Sequence, residues 1–176
     1  MRFVRWSLVA VAIVAVVAAL GAEEGLRVTP ISRDGKVVVS FELTDAYTQT
    51  IRDAITSGLK TTFTYDLELR TIVPAWVDRT IATVAVTTAD QYDNLTRRHT
   101  LTRLVDGRVD EVLVTEDEAI VKTWLTTGAK VPLAQTSKLD PARDYYVRIT
   151  VRTRPHGSLL GWAGSISASS KFTFVP

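Results

Sequence analysis

The sequence predicts an α+β fold, mainly an antiparallel β-sheet or sandwich of about seven strands with two helices packed on it. Three observations support this prediction: stretches in which apolar and polar residues alternate, hairpin-turn dipeptides between them, and two amphipathic segments with capping residues. Residues 23–176 are predicted to form a single α+β domain, since about 150 residues bury enough surface to be stable without disulfides.

The clearest predicted strand lies in residues 59–70, where apolar and polar side chains alternate without interruption. This period of two is typical of a strand with one buried and one wet face. Residues 36–43 form a shorter strand, and a helix is predicted between the two, starting at Thr44 or Asp45 and ending at Gly58. Whether the two strands are neighbours stays open, because a third strand could lie between them. The predicted buried face of the long strand carries Leu59, Thr61, Phe63, Tyr65, Leu67 and Leu69.

Two hairpins are predicted in the middle of the chain. Asp93-Asn94 and Asp106-Gly107 would each form a two-residue turn between antiparallel strands. These turns would pair Val86 with Leu101 and Leu101 with Val112, as cross-strand apolar contacts favour. Both registers would place the same set of side chains on a common core face, namely Val84, Val86, Leu101, Val112 and Val114.

The flanking segments complete the predicted fold. Residues 23–35 are predicted to be a lead-in that ends in the Asp34-Gly35 turn. Thr115 and Glu118 have the spacing of a capping box, which would open a second helix that ends at Gly128. Residues 129–143 are predicted to be a loop, residues 144–154 a strand, and residues 171–175 a short last strand.

Residues 1–22 have the pattern of a signal peptide or membrane anchor. Arg2 and Arg5 precede an apolar run over residues 6–20, and small residues follow it. This order is typical of a cleaved secretory signal, and a retained anchor with its basic end in the cytoplasm also fits. In both cases we expect the domain to be exported, either periplasmic or anchored in the inner membrane facing the periplasm.

Composition argues against several function classes. Without residues 1–22, the 21 basic residues fall to 19, equal to the 19 acidic residues, whereas nucleic-acid binding needs an excess of Lys and Arg. The chain has no cysteine, which excludes disulfides and thiolate metal sites. No nucleophile or phosphate-binding motif is present, and His99 and His156 lack ligand spacing, so we expect no enzyme activity, cofactor or metal. His99 is predicted to be a partly buried structural imidazole.

Two surface features could contact a partner. A row on the polar face of the strand at residues 144–154 could bind an acidic partner, anionic lipid headgroups or a carboxylate. The favoured interpretation is that Asp66 and Glu68 of the long strand neutralise this row. An apolar loop after that strand could dock on a protein or membrane surface, although closing the end of the sandwich is favoured. The row comprises Tyr146, Arg148, Arg152 and Arg154, and the loop carries Leu159, Leu160 and Trp162.

Several motifs resemble those of an exported proteobacterial family known as domain of unknown function 4390. They are FELTDA at 41–46, FTY at 63–65, WVDR at 76–79, YDNLTR at 92–97, VPL at 131–133, YYVR at 145–148 and FTFVP at 172–176. The resemblance covers nearly the whole chain after residue 22 and implies no catalytic residues. It also implies an exported protein often encoded beside a membrane sensor kinase and response regulator of the nitrogen-regulation type, which makes such a kinase a candidate partner.

The sequence therefore favours a non-enzymatic, exported accessory or interaction module of the bacterial envelope. Its expected partner is an envelope membrane protein, and contact with the lipid itself would be limited to an uncleaved N-terminal segment. The alternative is a protein that binds an apolar small molecule or lipid between its sheet and helices. An enzyme is the least supported class, because none of the required constellations of residues is found.

Overall fold

The computed structural model describes residues 25–155 and 165–172, without the side chains of residues 154 and 155. The predicted α+β fold is confirmed: antiparallel strands dominate and two helices accompany them, although the described residues form nine strands instead of about seven. The elements are β1 (Leu26–Arg33), β2 (Lys36–Leu43), α1 (Gln49–Thr56), β3 (Thr61–Thr71), β4 (Arg79–Asp93), β5 (Arg98–Val105), β6 (Arg108–Thr115), α2 (Glu118–Thr126), β7 (Thr127–Gln135), a 3-10 helix (Thr136–Lys138), β8 (Tyr145–Pro155) and β9 (Ser165–Phe172).

The smaller sheet has three strands in the order β1-β2-β7. Two predictions about it are wrong. Residues 26–33 form β1 instead of a lead-in, and residues 129–135 of the predicted loop belong to β7, which begins at Thr127. The predicted turn at Asp34-Gly35 is confirmed, and both residues have positive φ, at 52° and 71°, as hairpin turns of this length require. Apolar residues of β2 alternate into the core as predicted, with Val37 and Val39 fully buried.

The larger sheet has six strands in the order β6-β5-β4-β3-β8-β9, all antiparallel. β3 lies near its centre between β4 and β8, so both of its edges are paired. The predicted alternation of β3 is confirmed, since every second residue from Thr61 to Leu69 is fully buried. Because β2 and β3 belong to different sheets, the helix between them links the two sheets and is not a crossover within one sheet.

The core lies where the two sheets face each other. The ring of Phe41 on β2 packs against that of Tyr65 on β3, with centroids 4.4 Å apart. A Cβ atom at Gly128 of β7 would lie 2.3 Å from the Phe41 ring, so the ring can lie over β7 only because this position has no side chain. The remaining fully buried large side chains come from several elements, namely Phe63, Leu67, Leu69, Ile55, Val86, Leu101, Val121, Leu125 and Ile149.

Both helices begin later than predicted. α1 is capped by Thr48, whose Oγ1 accepts a hydrogen bond from the Ile51 N–H. Asp45 has a φ of 59°, a left-handed conformation that does not suit an N-cap. Asp117 caps α2 by accepting from the Ala119 N–H at 2.8 Å, while Thr115 accepts from the N–H of Asp117 itself.

The hairpin registers differ from the predicted ones. A four-residue loop, not a two-residue turn, joins β4 to β5, and Val86 therefore pairs with Val105 instead of Leu101. The predicted turn at Asp106-Gly107 is confirmed, but a bulge after it shifts the register by one residue and pairs Leu101 with Leu113.

The shifted register overturns part of the predicted core face. Val86 and Leu101 are buried as predicted, but Val112 and Val114 are 56% and 54% exposed. β6 is the outermost strand of its sheet, and these two valines point away from the smaller sheet. Within the described part of the chain, neither helix is long and apolar enough to span a bilayer.

Candidate functional site

The predicted contact row on β8 lies on the outer face of the larger sheet. Tyr146, Arg148 and Arg152 alternate with Tyr145, Val147, Ile149 and Val151, whose side chains are buried in the core. Arg154 follows on the same strand, and its side chain lies outside the described part, as do Leu159, Leu160 and Trp162 of the predicted apolar loop.

Acidic residues of β3 partly neutralise this row, as the sequence predicts. Arg152 forms an ion pair with Asp66 across the β3–β8 ladder. Glu68 lies directly opposite Arg148 in the register, but its ion pair, at 3.7 Å, is with Arg70 of its own strand. The neutralisation is therefore incomplete.

Among the described side chains of the row, Arg148 is the arginine that has no acidic partner. Its side chain is exposed, and among the described residues it has neither an ion pair nor a hydrogen bond. It lies close enough to Asp78 to help lower the pKa of that carboxyl group. Arg148 is thus available to an external anionic group.

Tyr146, a predicted contact residue, is largely buried and bonds a neighbouring turn. Only 8% of the residue is exposed, and its hydroxyl donates a 2.8 Å hydrogen bond to Oδ2 of Asp78. Burial, together with this bond, raises the pKa of Tyr146. The same bond, followed by a bond from the Val73 N–H, lowers the pKa of Asp78. Tyr146 therefore fixes the chain reversal that contains Asp78.

That reversal, residues 73–78, is termed here the Asp78 turn. The Trp76 N–H donates to the carbonyl of Val73 at 3.1 Å, and Ala75 has a φ of 59°, as expected at the third position of a type II turn that has proline at its second. Asp78 closes the reversal, because its Oδ1 accepts from the Val73 N–H at 3.3 Å and its carbonyl accepts from Arg70 at 3.0 Å.

The Asp78 turn displays two large apolar side chains to solvent. Trp76 is 82% exposed and its neighbour Val77 is 74% exposed. Neither residue is among the contact candidates predicted from the sequence. The available signal was three consecutive apolar residues, 75–77, inside a proline-marked break between two strands.

A second polar feature is buried near the two helices. His99 Nδ1 lies 2.9 Å from Asp90 Oδ2, and the side chains are 9% and 0% exposed. The ring of Tyr92 packs on that of His99 with centroids 4.6 Å apart, and His99 is buried, which agrees with the predicted burial of this imidazole. Burial raises the pKa of Asp90, and the hydrogen bond with His99 opposes this effect.

The described residues offer no evident place for a metal ion. In the two ranges 25–155 and 165–172, no three His, Cys, Asp or Glu side chains are grouped so that they could hold one.

Comparison with known proteins identifies a family and nothing closer. A family model described as "Domain of unknown function (DUF4390)" matches residues 26–156, which is most of the chain. The chain therefore belongs to this family. No curated protein and no solved structure matches it.

Proposed function

We propose that this family member is a non-enzymatic, exported accessory module that binds an envelope membrane protein through the outer face of its larger sheet. The observation that carries the proposal is the pair Trp76 and Val77, held in solvent by the Asp78 turn beside the free guanidinium of Arg148. The extracytoplasmic part of a sensor kinase is the partner that the family resemblance favours.

The Asp78 turn has the properties of a preorganised binding element. Three hydrogen bonds to Asp78, from Tyr146, Val73 and Arg70, hold the turn in place. A fixed turn loses little conformational entropy when it binds. An exposed tryptophan next to a valine is costly to leave in water, and tryptophan is enriched among the residues that dominate binding energies.

Arg148 adds a polar component to the same surface. Arginine is enriched in protein interfaces, where its planar guanidinium binds a carboxylate through two parallel hydrogen bonds. Asp78 and Glu68 lie near Arg148 but bind other donors. We therefore expect the partner to offer an apolar pocket for Trp76 and an acidic group for Arg148.

Site-specific photo-crosslinking in the native host tests the proposal. A photoreactive amino acid replaces Trp76 in one variant and Leu95, which is 96% exposed in the β4–β5 loop, in a control variant. We expect a membrane protein to be crosslinked from position 76 and not from position 95. The same product from both positions, or from neither, would contradict the proposal.

Substitutions then separate the two components of the surface. Trp76→Ala and Arg148→Glu should each reduce recovery of the crosslinked or co-purified partner about 10-fold or more, the loss typical of a dominant interface residue. Arg27→Glu is the matched control, because it makes the same charge change at an exposed position of β1 in the other sheet. Equal loss with Arg27→Glu would indicate a general charge effect and count against this surface.

The alternative function, binding of an apolar small molecule or lipid, has less support. Phe41 and Tyr65 already occupy the space between the sheets at ring contact. Native mass spectrometry of protein purified from its host tests this alternative, since a bound ligand would add a defined mass.

Export is a separate element of the proposal and needs its own measurement. N-terminal sequencing of the protein isolated from host cells distinguishes a cleaved signal from a retained anchor. A chain that starts within a few residues of position 22 indicates cleavage. Recovery of the protein in the cytoplasmic fraction with its first residues intact would overturn export.

A further inference from the structure

β6 is an outer strand of the larger sheet, and no described strand pairs with its second edge. Among the described elements, only β5 makes extensive contact with it, and seven of its eight residues are exposed. The other outer strands are better covered, since β9 lies against β1, and β7 lies against β3 and β4. Every second residue of β6 therefore directs its N–H and C=O groups away from the sheet, where another strand could pair with them.

The exposed face of β6 is apolar in its second half. Val112 and Val114 are more than half exposed on the outer face, and Leu113, which points to the other face, is 36% exposed. The bulge opposite Leu104 and Arg103 disturbs the ladder near Asp110, so Glu111–Thr115 is the regular segment. Charged side chains, proline and bulges commonly block the edge of a sheet. In β6 the charged residues and the bulge lie within residues 108–111, and residues 112–115 contain neither a charge nor a proline.

The surroundings of this segment are acidic. Residues 106–118 include six acidic side chains and one basic side chain, Arg108. Glu111 and Glu116 are paired with Arg103 and Arg98, and Glu118 is paired with Arg52. Asp106, Asp110 and Asp117 still outnumber Arg108, so a cationic partner is favoured over an anionic one.

We propose that the β6 edge accepts an extended segment of a partner protein as an additional strand, and that this segment alternates apolar and basic residues. Main-chain hydrogen bonds would supply affinity, and alternate side chains would supply specificity. The apolar residues pack beside Val112 and Val114, while the basic residues meet the acidic surroundings. A second copy of β6 fits poorly, because it would bring the same acidic residues together.

A synthetic peptide tests the proposal directly. The probe is a fluorescently labelled ten-residue peptide of alternating Lys and Val, with binding to the purified protein followed by fluorescence anisotropy. We expect saturable binding that weakens as salt is added. A peptide with Glu in place of Lys should bind at least 10-fold more weakly.

Main-chain methylation of the peptide separates strand addition from simple charge attraction. Alternate amides of a strand point to opposite edges. N-methylation of one alternate set of peptide amides should therefore abolish binding, while methylation of the other set should change the affinity less than about twofold. Equal effects of both sets would overturn the proposal, because side-chain attraction does not distinguish them.

A protein variant locates the site without disturbing the core. Val112→Lys places a cation at an exposed position of β6 and should weaken binding of the Lys–Val peptide at least 10-fold. Ile31→Lys, at a 48% exposed position of β1, is the matched control and should leave binding unchanged. Equal weakening by both variants would overturn the proposed location. Dimerisation of the protein that Val112→Lys abolishes would also overturn the proposal, since a second copy would then occupy the edge.

Discussion

Asp90 is a carboxyl group without solvent contact whose partner among the described residues is His99, at 2.9 Å. Its other oxygen, Oδ1, has no hydrogen-bond partner in that part of the chain. Burial raises its pKa, so the folded protein favours the protonated carboxyl. The stability that Asp90 contributes is full below its unfolded pKa, near 3.9, and is lost as the pH rises through the folded pKa.

Asp90→Asn should therefore flatten the pH dependence of stability above about pH 4. Asn cannot ionise, and its carbonyl can still accept a hydrogen bond from His99. We expect the free energy of unfolding at pH 7 to equal that of the wild type or to exceed it by about 1 kcal/mol. Urea unfolding over pH 4–8 measures this difference.

Asp93→Asn is the control, because the stability that Asp93 contributes should depend on pH in the opposite direction. The backbone N–H groups of Leu95 and Thr96 lower the pKa of Asp93, so its stabilising contribution is present above the unfolded pKa and is lost in acid. This variant should be less stable than the wild type at pH 7 and should approach it below about pH 3. An Asp90→Asn variant that is less stable than the wild type throughout pH 4–8 would show that the ionised pair stabilises the fold.

Gly128 is a second residue whose environment dictates its identity. Gly128→Ala would place a methyl group 2.3 Å from the Phe41 ring, and we expect a loss of about 1–3 kcal/mol in unfolding free energy. Phe41→Leu removes the clash, so the penalty of Gly128→Ala should shrink in that background. A double-mutant cycle by urea unfolding measures the coupling. Equal penalties in both backgrounds would show that the ring contact is not the cause.

At the scale of elements, the Asp78 turn depends on one bond to a neighbouring strand. The turn follows β3, while the hydroxyl that donates to Asp78 comes from Tyr146 of β8. Because this bond is the main cause of the lowered pKa of Asp78, the pKa reports whether the turn is bound to Tyr146 of β8. The contribution of Asp78 to stability is present above its unfolded pKa and is lost as the pH falls through the folded value.

Tyr146→Phe should raise the pKa of Asp78 toward its ordinary value, as an NMR titration of side-chain carboxyl shifts would measure. Trp76 fluorescence should change in the same variant, since the turn loses one of the three hydrogen bonds to Asp78. Tyr145→Phe is the control, because Tyr145 bonds Asp140 in another part of the chain. An unchanged pKa of Asp78 in Tyr146→Phe would show that the bond does not hold the turn.

For the whole molecule, the strands that the sequence predicts correctly are those in which apolar and polar residues alternate over the full length. β3 and β8 are central strands with one face in the core, so every second residue had to be apolar. β1 and β7 were missed because each contains a proline, Pro30 and Pro132. Proline argues against a central strand but is tolerated at an edge, and both strands are edges of the smaller sheet.

The candidate contact surface was predictable only in part. The pairing of Asp66 with an arginine of β8 follows from two alternating strands whose outer faces carry opposite charges. The contribution of the Asp78 turn could not be predicted in this way, because the turn is held by the hydroxyl of Tyr146, which is 68 residues away along the chain. Likewise, the exposure of Val112 and Val114 follows from a bulge and from strand order, neither of which a periodic pattern encodes.

The position of β3 has a consequence for how the chain reaches this structure. Its ladder with β4 joins segments that are close in sequence, but its ladder with β8 pairs Thr71 with Tyr145 and Thr61 with Pro155. During synthesis, one side of this strand, whose inward-facing residues are fully buried in the finished fold, thus stays open until the last quarter of the chain has emerged. Closing so long a loop is slow, and an open apolar edge invites aggregation. Chains that end before β8 should therefore depend on chaperones or be degraded.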